Sequence, residues 1–302
     1  MNSGPVPRVS IGLPVYNGES HLARALDSLL GQSMGDFEVI VSDNHSTDAT
    51  EAICRDYAAR DPRIRYCRNE RNRGAAWNFN RVLELSGGRY FKWASANDLH
   101  APNYLIRCVE VLDARPEVVL CYPKTRLIDE NGAAIWDFED NLDLPWPQAA
   151  RRFSEYLARV QLSNAMLGVI RPEILKRAGR LGSYPGADVV LLGELSLYGV
   201  FSEVPDILFY RRQEQRTTIR NQSLEDAQEF YDPDSRGRIF MRTWRQQFEY
   251  LLAACRTPLP IVEKARVVGI IARVSIRVRG DLARELAGAA LKLAVRGPVP
   301  KA

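Results

Sequence analysis

Between residues 8 and 122 the chain switches back and forth between short apolar runs and stretches whose apolar residues recur at helical spacing. That alternation leaves few folds open. Residues 9–14 read as a strand, and residues 37–42 form a continuous apolar run of the kind buried on both faces of a sheet. Residues 63–67, the aromatic-rich 90–94 behind the turn signal Gly87-Gly88, and 118–122 supply three more. Between them, Leu22, Ala25, Leu26, Leu29 and Leu30 follow Ser20 as a predicted N-cap. Asp48 and Glu51 have the spacing of a capping box ahead of a helix through Ile53 and Tyr57. Residues 75–85 are helical in pattern, and Pro102 opens a helix with Leu105, Cys108, Val109 and Leu112 on one stripe. Four strand–helix units with short connections predict an α/β protein, Rossmann-like, with a mostly parallel sheet flanked by helices.

In such a sheet the carboxyl ends of the strands share one edge, where ligands bind. The residues after successive strands are polar: Asn17 and Glu19, then Asp43 and Asn44, then Ser95, Asn97 and Asp98. A nucleotide along that edge would meet an acceptor for its base and, at Asp98, a carboxylate for a hard cation carrying a phosphate. Asn, Asp and Ser also favour strand-to-helix turns as caps, so each residue taken singly has a purely structural reading.

The ordered set narrows this. Pro14-Val15-Tyr16-Asn17-Gly18-Glu19, then Val39-Ile40-Val41-Ser42-Asp43-Asn44-His45-Ser46-Thr47-Asp48, then Asn72-Arg73-Gly74, then Asn97-Asp98 with Pro102 four residues on, resembles the family 2 glycosyltransferases over residues 8 to about 215. The resemblance implies the GT-A fold and inverting transfer from a nucleotide-diphosphate sugar. It implies that Pro14, Val15, Tyr16, Asn17 and Glu19 line the nucleotide pocket, and that Asp43, with Asn44 beside it, hydrogen-bonds the base edge. Gly74 would pass close to the nucleotide, and Asn78 and Asn80 would face the sugar or ribose. Asp98 matches the last aspartate of the family's D-x-D-D element, the usual metal ligand. Ser95 and Asn97 stand where the first and middle acids would be, which implies a site of reduced charge for Mg²⁺ or Mn²⁺, held chiefly through the diphosphate.

Beyond residue 122, residues 164–170 read as a strand and Pro172 begins a short helix ending near Gly179. Gly186-Ala187-Asp188 opens another, with Leu192, Leu195 and Leu197 behind it. By resemblance Asp188 is the general base, with Ala187 replacing the first acid of the family's pair. An N-cap role is the alternative, since Asp favours that position. Arg211 and Arg212, in Leu208-Phe209-Tyr210-Arg211-Arg212-Gln213, suit bidentate contact with a leaving diphosphate, or are a solvated pair at a strand end. Trp136, Trp146 and the segment Pro145-Trp146-Pro147 are candidates for an acceptor-facing loop.

Charge divides the 302-residue chain. From Arg236 onward there are fourteen Lys and Arg against Glu249, Glu263, Asp281 and Glu285, a balance of +10, so the overall +4 leaves −6 for the first 235 residues. The expected organisation is a catalytic domain over residues 1–215, with a nucleotide-sugar half at about 8–122 and an acceptor half at about 123–215. A mobile linker over 216–235 and a basic helical C-terminal extension over 236–302 complete it. In the extension Phe240, Trp244, Phe248, Leu251 and Leu252 share one helix face. After Pro258-Leu259-Pro260, the residues Val262, Ala265, Val268, Ile271 and Ala272 interleave with Lys264, Arg266, Arg273, Arg277 and Arg279. Such a segment lies on an anionic leaflet or packs on the domain with its charges in water. Aromatic and basic residues do not interleave as in single-strand binders, which argues against nucleic acid.

Cys54, Cys67, Cys108, Cys121 and Cys255 are odd in number and lack a C-x-x-C pair, which favours a reducing compartment. Residues 1–7 lack the charged and apolar regions of a signal peptide, and no run approaches the ~18 apolar residues of a spanning helix. The expectation is a cytoplasmic enzyme, peripheral at the inner membrane face if the tail binds lipid. The expected reaction moves a sugar from a UDP- or dTDP-sugar to a hydroxyl of a saccharide or lipid-linked acceptor, in polysaccharide, glycolipid or glycoconjugate synthesis. Two alternatives remain. One is a non-catalytic nucleotide-sugar binder with a degraded metal site, suggested by Ser95, Asn97 and Ala187. The other is a nucleotidyltransferase, which would want a Gly-rich basic first loop where this chain has Asn17-Gly18-Glu19.

Overall fold

The structure, a computed structural model, describes residues 6–213, 224–235 and 239–296. Strand β1 (Val9–Val15) runs parallel to β2 (Phe37–Asp43) on one side and β4 (Tyr90–Trp93) on the other, and β3 (Ile64–Arg68) extends the sheet beyond β2. Nearly every side chain of β1, β2 and β4 is buried, as a parallel sheet covered on both faces requires. The covering helices are α1 (Leu22–Leu30), α2 (Thr50–Arg60), α3 (Ala75–Leu85) and α4 (Tyr104–Ala114). These elements lie where the sequence places them, while the caps differ in detail. The N-cap of α1 is His21 rather than Ser20, and that of α2 is Ala49. Asp48 Oδ1 accepts the Thr50 amide at 3.0 Å, but its partner in capping is Glu19, whose carboxylate accepts the Ala49 amide at 2.8 Å. Glu51 pairs instead with Arg55 and Arg68.

The other half of the sheet is mixed, adding short antiparallel strands to the expected parallel arrangement. The order is β3-β2-β1-β4-β8-β6-β9-β5, with β7 (Ala134–Phe138) on β6. β8 (Val169–Ile170) inserts antiparallel between β4 and β6 (Val118–Ile128), and β9 (Val200–Arg212) is parallel to β6. β5 (Leu99–His100) and β7 are antiparallel to their neighbours β9 and β6. The predicted strand at 164–170 is a single 3-10 turn, Asn164–Leu167, followed by the two residues of β8. Side chains do part of a ladder's work there. The Leu167 carbonyl accepts the ammonium of Lys92 at 2.5 Å and the Tyr104 hydroxyl at 2.8 Å.

Two cores lie on opposite faces of the sheet. One joins α1 and α4 to the strands through Leu22, Leu26, Leu105 and Cys108. The other contains α5 (Ala149–Arg159), α7 (Ala187–Tyr198) and the C-terminal helices, through Phe153, Leu192, Tyr250 and Ile271. Between them in sequence, α6 (Pro172–Arg177) starts at Pro172 as predicted.

Residues 214–223, which include the first part of the expected linker, 216–223, lie outside the described residues, but 224–235 is folded as α8 (Leu224–Tyr231) and a 3-10 turn, Pro233–Ser235. Tyr231 is buried against the domain. The tail forms α9 (Arg242–Arg256), α10 (Ile261–Arg277) and α11 (Arg279–Arg296). They dock through Tyr250, Val267 and Ile271, each buried to 2% exposure or less and each contributing about 1.5–3 kcal/mol. Buried Glu194 of α7 accepts two hydrogen bonds from Arg256, at 2.8 and 2.9 Å. Glu263 accepts the Ala150 amide at the start of α5, and Glu285 accepts the Thr243 amide at the start of α9. The apolar face of α9 read from the sequence is not its docking face. Gln247, Tyr250, Ala253 and Ala254 are buried, whereas Trp244, Phe248, Leu251 and Leu252 point outward. Among the described residues no helix is long and apolar enough to cross a membrane.

Candidate active site

The carboxyl edge of β1, β2 and β4 is a laced platform. After β1, Asn17 turns into the left-handed region (φ 50) and its amide donates to Ser46 Oγ at 2.9 Å. Its side-chain oxygen accepts the Thr47 amide, and the Gly18 amide donates to Thr50 Oγ1, both at 2.8 Å. The two loops are therefore bound to each other before any ligand arrives. Pro14 is partly covered and Val15 buried, whereas Tyr16, Asn17 and Glu19 are exposed along the rim.

Asp43, expected at the base edge, is fully buried. Its Oδ1 accepts the Ser46 amide at 2.8 Å, and its Oδ2 accepts the Tyr66 hydroxyl at 2.8 Å and Arg68 at 2.7 Å. Asn44 is equally internal. It donates to Asn72 Oδ1 and the Gly74 carbonyl and accepts from Asn69 and the Arg73 amide, pinning the 69–74 loop. Asn78 accepts from Ser42 Oγ at 2.6 Å and donates to the Ser42 carbonyl at 2.8 Å. Asn80 clasps the backbone of Leu181 with both ends of its amide. Asn44, Asn78 and Asn80 thus tie loops and strands together in this structure, and their hydrogen-bonding groups are used inside the protein. Gly74 has φ 82, and a β-carbon there would lie 2.4 Å from the Tyr231 carbonyl oxygen, so α8 closes over this loop. Tyr66, Arg68 and Asn69, which tie these residues together, were not singled out in the sequence. The available signal was their position at the end of β3, one strand outside the motifs.

At the end of β4, Asp98 is 4% exposed. Its Oδ1 accepts the Arg212 amide at 2.9 Å. Burial pushes the Asp98 carboxyl above its ordinary pKa, opposed first by the Arg211 guanidinium and then by the Arg212 amide, Lys92 and Ser95. Asn97 donates its amide to Ser95 Oγ at 3.2 Å, closing the turn. The guanidinium of Arg212 is buried and donates to the carbonyls of Asn97, Asp129 and Glu130 at 3.0, 2.6 and 2.6 Å. Arg212 therefore braces the loop that carries Asp98. Arg211 donates to Asn164 Oδ1, and Asn164 in turn donates to Asp140 Oδ2 at 3.1 Å. Thr125 Oγ1 also donates to Asp140, which is 2% exposed and whose pKa burial pushes up to about 7. This Thr125–Asp140–Asn164–Arg211 chain carries no sequence motif. Beneath it Lys92 is fully buried over the Tyr104 ring, and burial lowers its ammonium to a pKa of about 7.

Among the described residues no three acidic, His or Cys side chains converge on a metal position. One buried carboxylate and a serine hydroxyl still suit Mg²⁺ or Mn²⁺, ions that take one or two protein carboxylates and complete their shells with substrate phosphates and water.

Asp188 lies on the acceptor half, at the second position of α7, behind an N-cap at Gly186 whose φ is 89. It is half-buried, and its carboxylate makes no hydrogen bond or ion pair among the described residues. It therefore does not cap the helix. Its negative charge acts on the phenols of Tyr156, Tyr231 and Tyr250, and a β-carbon at Gly186 would lie 3.5 Å from the Arg242 guanidinium. Trp136 is exposed on β7 and Trp146 sits between Arg151 and Arg159.

A sheet of this strand order, with helices on both faces and polar loops along the carboxyl edge of β1, β2 and β4, is that of the GT-A fold. Residues 10–159 match the family described as Glycosyl transferase family 2, and the chain belongs to that family. It is 27% identical over 173 residues to an uncharacterized glycosyltransferase of Methanocaldococcus jannaschii, covering 57% of this chain and 58% of that one. Other curated relatives are matched over as little as 14% of their length. In structure it is similar to S. aureus TarS 1–349 in complex with UDP-GlcNAc, with a TM-score of 0.62, 16% identity, and coverage of 92% of this chain and 79% of that one. It is also similar to a mannosyltransferase of Pyrobaculum calidifontis in complex with GDP-Man and Mn²⁺, with a TM-score of 0.58, 19% identity, and coverage of 98% and 77%.

Proposed function

We propose that the chain is an inverting glycosyltransferase that moves a sugar from a nucleotide-diphosphate donor to an acceptor hydroxyl. The observation that carries this reading is the contrast between its two carboxylates. Asp98 is buried, hydrogen-bonded and electrostatically tied to Arg211, whereas the Asp188 carboxylate, half-buried at the start of α7, makes no hydrogen bond or ion pair among the described residues. Two acids held so differently suit two roles. The nucleotide would lie along the Tyr16–Glu19 rim over Asp43, with Pro14 and Val15 behind it and Gly74 at its phosphates. The sugar would sit within the walls set by Asn44, Asn78 and Asn80. That similar folds bind UDP-GlcNAc and GDP-Man supports a nucleotide-sugar donor. UDP is the favoured nucleotide, with dTDP next.

In the reaction the acceptor oxygen attacks the anomeric carbon, the bond to the diphosphate breaks, and Asp188 takes the hydroxyl proton. Arg211, steadied through Asn164 and Asp140, neutralises charge on the departing nucleoside diphosphate, and Arg212 keeps Asp98 in place. Mg²⁺ or Mn²⁺ held by Asp98, with Ser95 and Asn97 beside it, would add Lewis-acid stabilisation of the same leaving group. The division into a catalytic domain over 1–215 and a basic extension belongs to this reading, with α8 as an ordered cover within the expected linker. So does a hydroxyl-bearing saccharide or lipid-linked acceptor, in cell-surface polysaccharide, glycolipid or glycoconjugate synthesis. A cytoplasmic enzyme touching the membrane through its C-terminal helices fits the same picture.

The test is a thermal-melt panel of nucleotide sugars with and without Mn²⁺, followed by turnover of whichever donor stabilises the fold. Stabilisation with turnover is the expected result. Stabilisation without turnover against any hydroxyl acceptor would favour a non-catalytic binder.

A further inference from the structure

The outward side of α10 carries two features that its docking does not use. Ile261, Ala265, Val268, Ala272 and Ile276 follow at steps of four and three, so they form one stripe along the helix, and all are exposed. Ile261 and Ile276, near its two ends, are 79% and 63% exposed. Beside this stripe runs a row of arginines, Arg266, Arg273 and Arg277, at steps of seven and four. Arg266 pairs with Glu263 at 2.7 Å, whereas Arg273 and Arg277 make no ion pair among the described residues. The row borders a groove of about 400 Å³ between α5 and α10, where Arg151, Ser154, Arg266 and Arg273 surround Gly269, and where the one acid of the lining, Glu155, is paired with Arg159. No atom lies within 4 Å of a β-carbon built at Gly269, so the groove is open at that point.

The acids of the tail balance Arg266 alone on this face, through Glu263. Glu263 and Glu285 accept backbone amides at helix starts, and Glu249 and Asp281 pair with Arg245 and Arg284. A second copy of the chain would bring the same arginines against each other in a two-fold contact, because each patch meets its own image. An anionic bilayer instead satisfies both features at once. Acyl chains take the stripe and phosphates take the arginines, as for a helix lying in the interface plane.

We propose that the exposed stripe of α10, with the arginine-lined groove between α5 and α10, is the surface on which this enzyme sits on an anionic lipid leaflet, and that the groove takes a lipid headgroup phosphate. This deepens the membrane-contact reading above and rests on it. It also places the bilayer on the side of the acceptor half where α5 packs against α10.

The full chain would be sedimented with phosphatidylcholine vesicles, with and without phosphatidylglycerol, at low and high salt. Binding should need phosphatidylglycerol and fall with salt. Arg273→Gln and Arg277→Gln should each weaken partitioning about fivefold, and Ile276→Ser should weaken it as well. Melting temperature and stabilisation by the donor should not change, since none of these residues belongs to the catalytic site. Wild type bound equally to neutral vesicles, or to none, overturns the proposal along with the membrane reading. Wild type that needs phosphatidylglycerol while the three variants bind as it does overturns this face alone. A concentration-dependent dimer dissolved by Ile276→Ser also overturns it, in favour of a second copy.

Discussion

Arg212 holds Asp98 from two directions: its amide donates to Asp98 Oδ1 at 2.9 Å, and its guanidinium grips the Asn97 carbonyl next door at 3.0 Å. The pair lies 114 residues apart in sequence and joins the end of β4 to the end of β9. Arg212→Met keeps the amide and most of the volume but removes the donors to Asn97, Asp129 and Glu130. These carbonyls are only part-buried and can turn to water in part, so the loss in urea unfolding should be about 1–3 kcal/mol in all. Arg211→Met should leave stability nearly unchanged and lower donor turnover instead. Equal effects of the two changes on stability would contradict this division of labour.

Asp98→Asn retains an acceptor for the Arg212 amide while removing the charge. Turnover should drop sharply at an unchanged melting temperature. On the proposed reading, in which Ser95 and Asn97 would leave a cation to be held chiefly by the diphosphate, EDTA should slow the wild type less than this substitution does. Wild-type kcat/KM in Asp98→Asn would remove it from the site.

Much of this was legible locally. α3 occupies the predicted residues 75–85, because its apolar spacing and the Gly74 turn are local signals. Residues 164–170 failed for a non-local reason: the Leu167 carbonyl is satisfied by Lys92 and Tyr104, 75 and 63 residues away, so no strand is needed. The sheet's antiparallel insertion follows from that short turn. The face of α9 was misread because hydrophobicity was equated with burial, whereas the docking side uses Gln247 and the small Ala253 and Ala254. At the candidate site, the family resemblance singled out Asp43, Asp98 and Asp188. It could not reveal that Asp43 and Arg212 are engaged by protein partners, since those partners come from other strands and loops.

The Asp140 carboxyl should leave a signature in pH. Burial, reinforced by Glu203, raises it to about 7 against the pull of Asn164, Thr125 and Arg211. An unfolded aspartate loses its proton near pH ~3.9. Between about pH 4 and 7 the folded protein therefore holds a proton that the unfolded chain has released, and stability falls as pH rises through that window. Asp140→Asn cannot ionise, so its melting temperature should gain on the wild type from pH 5 to pH 8. Parallel curves would mean that Asp140 is ionised throughout.

Gly74→Ala should disturb the cover as well as the loop. A left-handed φ costs an L-residue about 1–2 kcal/mol, and the new methyl would fall 2.4 Å from the Tyr231 carbonyl. α8 should lift, giving a lower melting temperature and faster proteolysis within 224–235. Unchanged proteolysis of that segment would show that α8 does not rest on Gly74.

Asp188→Asn separates the two roles the sequence left open. The structure already counts against a cap, since the N-cap is Gly186 and the Asp188 carboxylate makes no capping hydrogen bond. Asn preserves shape and polarity but cannot take the acceptor's proton. A general base contributes roughly 10²–10⁴-fold, so kcat should fall by about that factor while donor affinity and melting temperature stay close to wild type. Solvent pH gives a second readout. If proton removal by Asp188 limits the wild type, the acidic limb of its pH–rate profile should vanish in the variant. Single-turnover assays at saturating donor separate this loss from slow product release. Full activity in Asp188→Asn would move the base elsewhere and leave Asp188 with no part in the chemistry.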